Sequence, residues 1–223
     1  MLLELILPQV CGGCGAPGAG WCAACAESVA GPPFRVRPRV DPGVPCWALS
    51  GYAGPARRAV VAAKEHGRRD LLAPLGMALA RGLDTLRARG RPLLLVPAPT
   101  RRAAARRRGG DPVARTTRVA ASWLEDCQSH TLLAAERGVR DSVGLDATAR
   151  RDNLRGRIRP PSGSLPAAAR DPNAEIVLVD DVLTTGVTAD ESVRALAAAG
   201  VRVRAVMVTC AARVGEICVN TGG

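Results

Sequence analysis

The spacing of apolar positions changes along this chain, and the changes mark its elements. Residues 54–66 (GPARRAVVAAKEH) and 70–89 (DLLAPLGMALARGLDTLRAR) carry apolar side chains at helical spacing, with Gly90-Arg91-Pro92 ending the second. LLLV at 93–96 and IVLV at 176–179 are short unbroken apolar runs, as expected of strands buried on both faces. WALSGY at 47–52 predicts another strand, and helical spacing resumes around 112–124. Residues 189–199 (ADESVRALAAA) predict a helix stopped by Gly200, followed by a strand within VRVRAVMVTCA, 201–211. PPSGSLPAAARDPN, 160–173, reads as a loop. Strands alternating with helices predict an α/β fold with a mostly parallel sheet and helices on both sides. Ahead of it, residues 1–33 form a cysteine- and glycine-rich unit, and 34–46, with three prolines, read as a linker to a main domain at 47–223.

Composition adds constraints to that frame. With 47% apolar residues but only 2% aromatic ones, the core must be built from Val, Leu, Ala and Ile. The net charge of +11 comes almost wholly from arginine, since Lys64 is the single lysine. Arg101, Arg102, Arg106, Arg107, Arg108, Arg115 and Arg118 cluster around one acid, Asp111, and Arg150, Arg151, Arg155, Arg157 and Arg159 form a second group. Such clusters attract phosphates, on a small substrate or on a polynucleotide. No run approaches the ~20 apolar residues of a membrane span. The start, MLLELILPQV, contains Glu4 and lacks a basic flank, so a signal peptide is not expected and a cytoplasmic location is.

In that compartment the eight cysteines are expected as thiols or metal ligands. Cys11-Gly-Gly-Cys14 and Cys22-Ala-Ala-Cys25 are two CxxC pairs seven residues apart, the pattern of a four-thiolate structural Zn2+ site. Buried thiols are the plain alternative; a redox CxxC would need a βαβ setting that neither pair has.

The second chemical feature is IVLVDDVLTTGVTAD, residues 176–190. Asp180 and Asp181 fall where open α/β sheets place ligand crevices, and the loop Leu183–Thr188 brings N–H groups and threonine hydroxyls to a helix start. That is an anion site suited to a phosphate monoester. The carboxylates suit vicinal hydroxyls or Mg2+ instead, so the pair together describes a ribose 5-phosphate. Upstream, LLLVPAPTRR (93–102) ends a strand with Thr100, Arg101 and Arg102, which offer a hydroxyl and charge-assisted donors to a second phosphate.

The order of apolar strand, Asp-Asp and Thr-Thr-Gly-x-Thr resembles the phosphoribosyl-pyrophosphate (PRPP) motif of type I phosphoribosyltransferases. The resemblance implies that fold. It assigns Asp180, Asp181, Val182, Leu183, Thr184, Thr185, Gly186, Val187 and Thr188 to PRPP, with Asp180 and Asp181 on the ribose hydroxyls. Thr184 to Thr188 would hold the 5-phosphate, and Thr100, Arg101 and Arg102 the pyrophosphate. In the 6-oxopurine members an aspartate general base stands where Thr184 is, so a hypoxanthine or guanine acceptor is not expected. Across nearly the whole chain, the CxxC pairs, GYAGPARRAVVAAKEHGRRDLL, LLVPAPTRRAAARRRGG, ARRDNLRG and IVLVDDVLTTGVTAD occur in an order that resembles the ComF family of competence proteins. Lys64 lies in that family's Lys-x-x-Gly-Arg-Arg-like stretch, a place for a compact ammonium on a phosphate. The family's Arg-x-Arg-Gly-Phe-Asn-Gln segment appears as residues 106–112 (RRRGGDP), which leaves the acceptor open. Two functions follow from the resemblance. One is Mg2+-dependent phosphoribosyl transfer with Asp180, Asp181, Arg101 and Arg102 as the catalytic groups. The other is a PRPP- or nucleotide-sensing accessory of DNA uptake that contacts single-stranded DNA or DNA-processing proteins.

Overall fold

A computed structural model describes residues 9–100, 110–136, 156–160 and 164–212. Six strands form the main sheet: β1 (Phe34–Val36), β2 (Cys46–Gly51), β3 (Leu93–Pro97), β4 (Cys127–Ser129), β7 (Glu175–Leu183) and β8 (Ala205–Ala211). Their order is β1-β2-β8-β7-β3-β4, with β1 antiparallel at one edge and every other neighbouring pair parallel. A separate antiparallel pair joins β5 (Ala134–Ala135) to β6 (Ile158–Arg159). The helices are α1 (Ala23–Ala26), α2 (Gly54–Glu65), α3 (Leu72–Leu86), α4 (Pro112–Ser122), α5 (Ala167–Arg170) and α6 (Val187–Ala198). The mostly parallel sheet flanked by helices is thus the architecture that the alternating pattern predicts.

Alternation along the strands divides the core. Leu94, Val96, Ile176, Leu178, Val206 and Val208 face a layer holding α6 through Ala189, Ala195 and Leu196. Leu93, Leu95, Val177, Val179 and Met207 face the opposite layer, where α2, α3 and α4 contribute Val60, Leu75, Leu79 and Ala120. Strands buried on both faces need continuous apolar runs, which is why LLLV and IVLV read as they do.

Several boundaries differ from the sequence pattern. Strand β7 continues four residues beyond IVLV, since β8 pairs with it through Leu183. Strand β8 begins at Ala205, and buried Val201 and Val203 precede it in irregular backbone. Residues 34–46 contain β1, whose Phe34 to Val36 pair with Ala48 to Cys46. No helix among the described residues is long and apolar enough to cross a membrane.

Candidate functional site

Crossovers fix where the crevice lies. The chain leaves β3 through α4 to reach β4 on one side, and leaves β7 through α6 to reach β8 on the other. The order therefore reverses between β3 and β7, and the carboxyl ends at such a switch point form the ligand crevice of open α/β sheets. β3 stops at Pro97, opposite Val179, and the Ala98 amide donates to the Val179 carbonyl at 2.8 Å. Beyond that bond β7 keeps β8 on one flank only, so Asp180 and Asp181 border the gap that β3 leaves.

Asp181 is the better anchored of the two. Lys64 Nζ on α2 donates to Oδ1 at 3.0 Å and sits 2.7 Å from Oδ2, which is buried and accepts no directed hydrogen bond. The Asp181 amide donates to Asp180 Oδ1 at 2.8 Å. Burial holds the Asp180 carboxyl well above the usual carboxylate range, the Asp181 charge pushes it the same way, and Lys64 opposes both. The adjacent carboxylates offer the hard oxygen donors that Mg2+ takes. Beside them a narrow cleft runs between α2, α3 and α4, with Lys64, Thr116 and Thr209 among apolar walls such as Leu75 and Val113.

The loop after β7 is short. Thr184 is exposed and Thr185 half-buried, and Gly186 takes the left-handed backbone at φ 88° to start α6. No side chain caps that helix, so the N–H groups of its first turn, where Val187 and Thr188 sit, have no intrahelical partner. Helix starts of this kind favour anions. The segment after β1 crosses this loop: the Val40 amide donates to the Thr185 carbonyl at 2.9 Å, and Pro38 lies against Gly186. A Cβ on Gly186 would come within 2.3 Å of the Val40 carbonyl oxygen. Gly186→Ala is therefore expected to cost about 1–2 kcal/mol for the backbone conformation alone, and more for displacing Val40. Urea unfolding measures the loss; unchanged stability would remove the crossing segment from this account.

On the β3 side, Thr100 Oγ1 donates to Asp111 Oδ1 at 3.1 Å, and the same oxygen accepts from the Ala114 amide at 3.2 Å as the cap of α4. Asp111 thus ties the post-β3 loop to a helix start, a role its Asp-Pro sequence signals as a cap but not as a partner of Thr100. Arg101 and Arg102 lie outside the described residues.

Away from the crevice, Cys11, Cys14, Cys22 and Cys25 converge, their sulfurs all within 4.8 Å of one another. The Cys11–Cys22 and Cys14–Cys22 sulfurs are 3.6 and 3.7 Å apart, against roughly 3.8 Å expected for four thiolates at tetrahedral zinc. Backbone N–H groups already face them: Gly13 and Cys22 donate to Cys11 Sγ at 3.4 Å, and Ala16 to Cys14 Sγ at 3.5 Å. Burial alone would raise Cys11, but the backbone donors of Cys22, Cys14 and Gly13 outweigh it and bring it down to about 6. Burial raises Cys25, and the three neighbouring cysteines add to the effect. The lone Cys46 and Cys210 are pushed up to about 12 by burial and stay thiols. The cluster fits Zn2+ in donor type, number and spacing.

No protein-family profile matches the chain, and no curated protein matches it in sequence. A solved structure with a similar course of the chain comes from an analysis of an invariant aspartic acid in HPRTs, the glutamic acid mutant. It is 13% identical, covers 70% of this chain and 75% of its own, and has a TM-score of 0.36.

Proposed function

We propose that this chain is a PRPP-binding protein of the type I phosphoribosyltransferase kind, similar to the ComF family, that transfers the phosphoribosyl group with release of pyrophosphate. The observation that carries the reading is the junction at the switch point, where paired carboxylates are followed at once by an uncapped helix start. A ligand with a phosphate monoester at one end and a vicinal diol at the other matches both halves. In this reading Asp180 and Asp181 accept hydrogen bonds from the ribose hydroxyls, and Thr184, Thr185, Gly186, Val187 and Thr188 hold the 5-phosphate. Val182 and Leu183 set the spacing between the two. Lys64 pairs with Asp181 and orients its carboxylate. Thr100, with Arg101 and Arg102, receives the pyrophosphate, whose negative charge grows as the bond to the ribose carbon breaks. Positioning by these groups lowers the barrier by making the encounter intramolecular. Mg2+, for which Asp180 and Asp181 offer oxygen donors, would neutralise charge on the leaving pyrophosphate when bound. Structural Zn2+ belongs to the cysteine unit, and the chain works in the cytoplasm.

PRPP with Mg2+ is expected to raise Tm by several degrees, since ligand at 100-fold its Kd adds about 2.7 kcal/mol. Pyrophosphate should then appear with the correct member of a panel of bases and amines. A Tm that PRPP does not move would overturn the reading.

One observation favours a second role on DNA. Trp123 is 62% exposed at the end of α4, in a groove it shares with Arg81, Arg87 and Arg89. Stacking aromatics beside arginines suit single-stranded nucleic acid. PRPP binding without pyrophosphate release from any acceptor, together with salt-sensitive affinity for single-stranded DNA lost in Trp123→Ala, would make the accessory role in DNA uptake the better description.

A further inference from the structure

Three contacts tie the cysteine unit to one corner of the main domain. Arg58 Nε, on α2, donates to the Gly13 carbonyl inside the first CxxC turn. Arg68, between α2 and α3, donates through Nη2 to the carbonyls of Val10 at 2.8 Å and Gly20 at 3.2 Å, while Asp70 holds its guanidinium at 2.9 and 2.7 Å. Fully buried Leu71 packs against Gly12, so closely that a Cβ there would fall 2.5 Å from Leu71 Cδ1. The other side of the same corner borders the crevice. Lys64 lies about 9 Å further along α2 than Arg58 and roughly 120° around it, and there it pairs with Asp181. Leu72, directly after Leu71, and Leu75, four residues on, line the cleft with Lys64, Asp180 and Asp181.

We propose that the four-cysteine unit positions the ligand site: through Arg58 and Arg68 it fixes the α2–α3 corner, and that corner sets Lys64 against Asp181. Arg58 and Arg68 are positioning residues: they hold backbone carbonyls of the cysteine unit, Arg68 with its guanidinium braced by Asp70. The physical reason lies in how the two faces are held. Apolar contacts of α2 with the sheet tolerate small axial shifts, whereas a hydrogen bond and an ion pair on two different faces of one rigid helix do not. Metal occupancy and ligand affinity are then linked, and by reciprocity a ligand on the carboxylates tightens metal retention.

The proposal rests on PRPP as the ligand of the carboxylate site, and a double-mutant cycle tests it. PRPP–Mg2+ affinity is measured by calorimetry on the zinc-loaded wild type, Arg58→Met, Lys64→Met and the double variant, with zinc content determined for each. Arg58→Met and Lys64→Met are each expected to weaken binding about tenfold, and the double variant no more than Lys64→Met alone. Additive losses, or an Arg58→Met protein that binds like wild type, would overturn the proposal, because a merely stabilising contact does not act through Lys64. Should Arg58→Met fail to fold, Arg68→Met releases the Val10 and Gly20 carbonyls instead and is read in the same cycle. A folded wild type that does not bind PRPP defeats the ligand assignment itself, and with it this coupling.

Discussion

Replacing both Asp180 and Asp181 with asparagine is expected to weaken PRPP binding by roughly two to four orders of magnitude, from the loss of two hydrogen bonds to charged groups at about 1.5–3 kcal/mol each. The fold should survive. Asp180 is held above the usual carboxylate range by burial first and by the Asp181 charge second, so its ionised form costs folding energy. A carboxyl whose folded value is raised binds its proton more tightly in the native state. Wild-type stability therefore falls as pH rises from the ordinary carboxylate value, near 4, towards the raised one. Asp180→Asn removes that penalty, so its Tm advantage over wild type should grow with pH across that window and then level off. Lys64 loses its counter-charge in the double variant, but at 37% side-chain exposure it is left in contact with water. Retained Tm with lost PRPP stabilisation is thus the expected signature. Equal PRPP affinity in the double variant would remove the carboxylates from the binding site.

The second large effect concerns the cysteines. Cys11→Ser is expected to abolish retention of about one zinc per chain and to lower Tm steeply. Zinc peptides draw roughly 10–16 kcal/mol from such a site. Here the metal would also hold in place the backbone that meets Arg58, Arg68 and Leu71. Cys11 is the telling position, because two N–H groups already point at its sulfur and a serine oxygen would sit too far from the other ligands. Cys127→Ser serves as the control: burial pushes that lone thiol up to about 11, and it has no cysteine partner among the described residues. Elemental analysis and a thermal melt read both variants. A Cys11→Ser protein that keeps its zinc would refute the four-thiolate site.

Local signals carried much of this. Helical spacing in 54–66 and 70–89 marked α2 and α3 because each buries a single apolar stripe, and the CxxC spacing named its four residues because a knuckle closes within the chain. Boundaries were less legible where tertiary pairing overrides pattern. Two aspartates read as the end of a strand, yet β8 carries the pairing through Leu183. Three prolines at 38, 42 and 45 hid β1, whose three residues just ahead of them pair with β2. The least visible features are the contacts between distant residues. Lys64 was singled out by its rarity and by its place in a Lys-x-x-Gly-Arg-Arg-like stretch, as a partner for phosphate, and nothing local links it to a carboxylate 117 positions away. Val40 on Thr185, and Thr100 on Asp111, likewise exist only once the crossovers have set the strand order.

That strand order also governs how the molecule comes into being. β2, at residues 46–51, lies between short β1 and β8, at residues 205–211. During synthesis the first long strand must therefore wait for some 150 further residues before its parallel partner leaves the ribosome, about ten seconds or more at ordinary elongation rates. Parallel pairing over such a separation carries a high loop-closure cost and folds slowly. The cysteine unit has no such delay, since its ligands lie within one short stretch. With Zn2+ bound it would close early and offer α2 a finished surface while the sheet is still waiting for its centre.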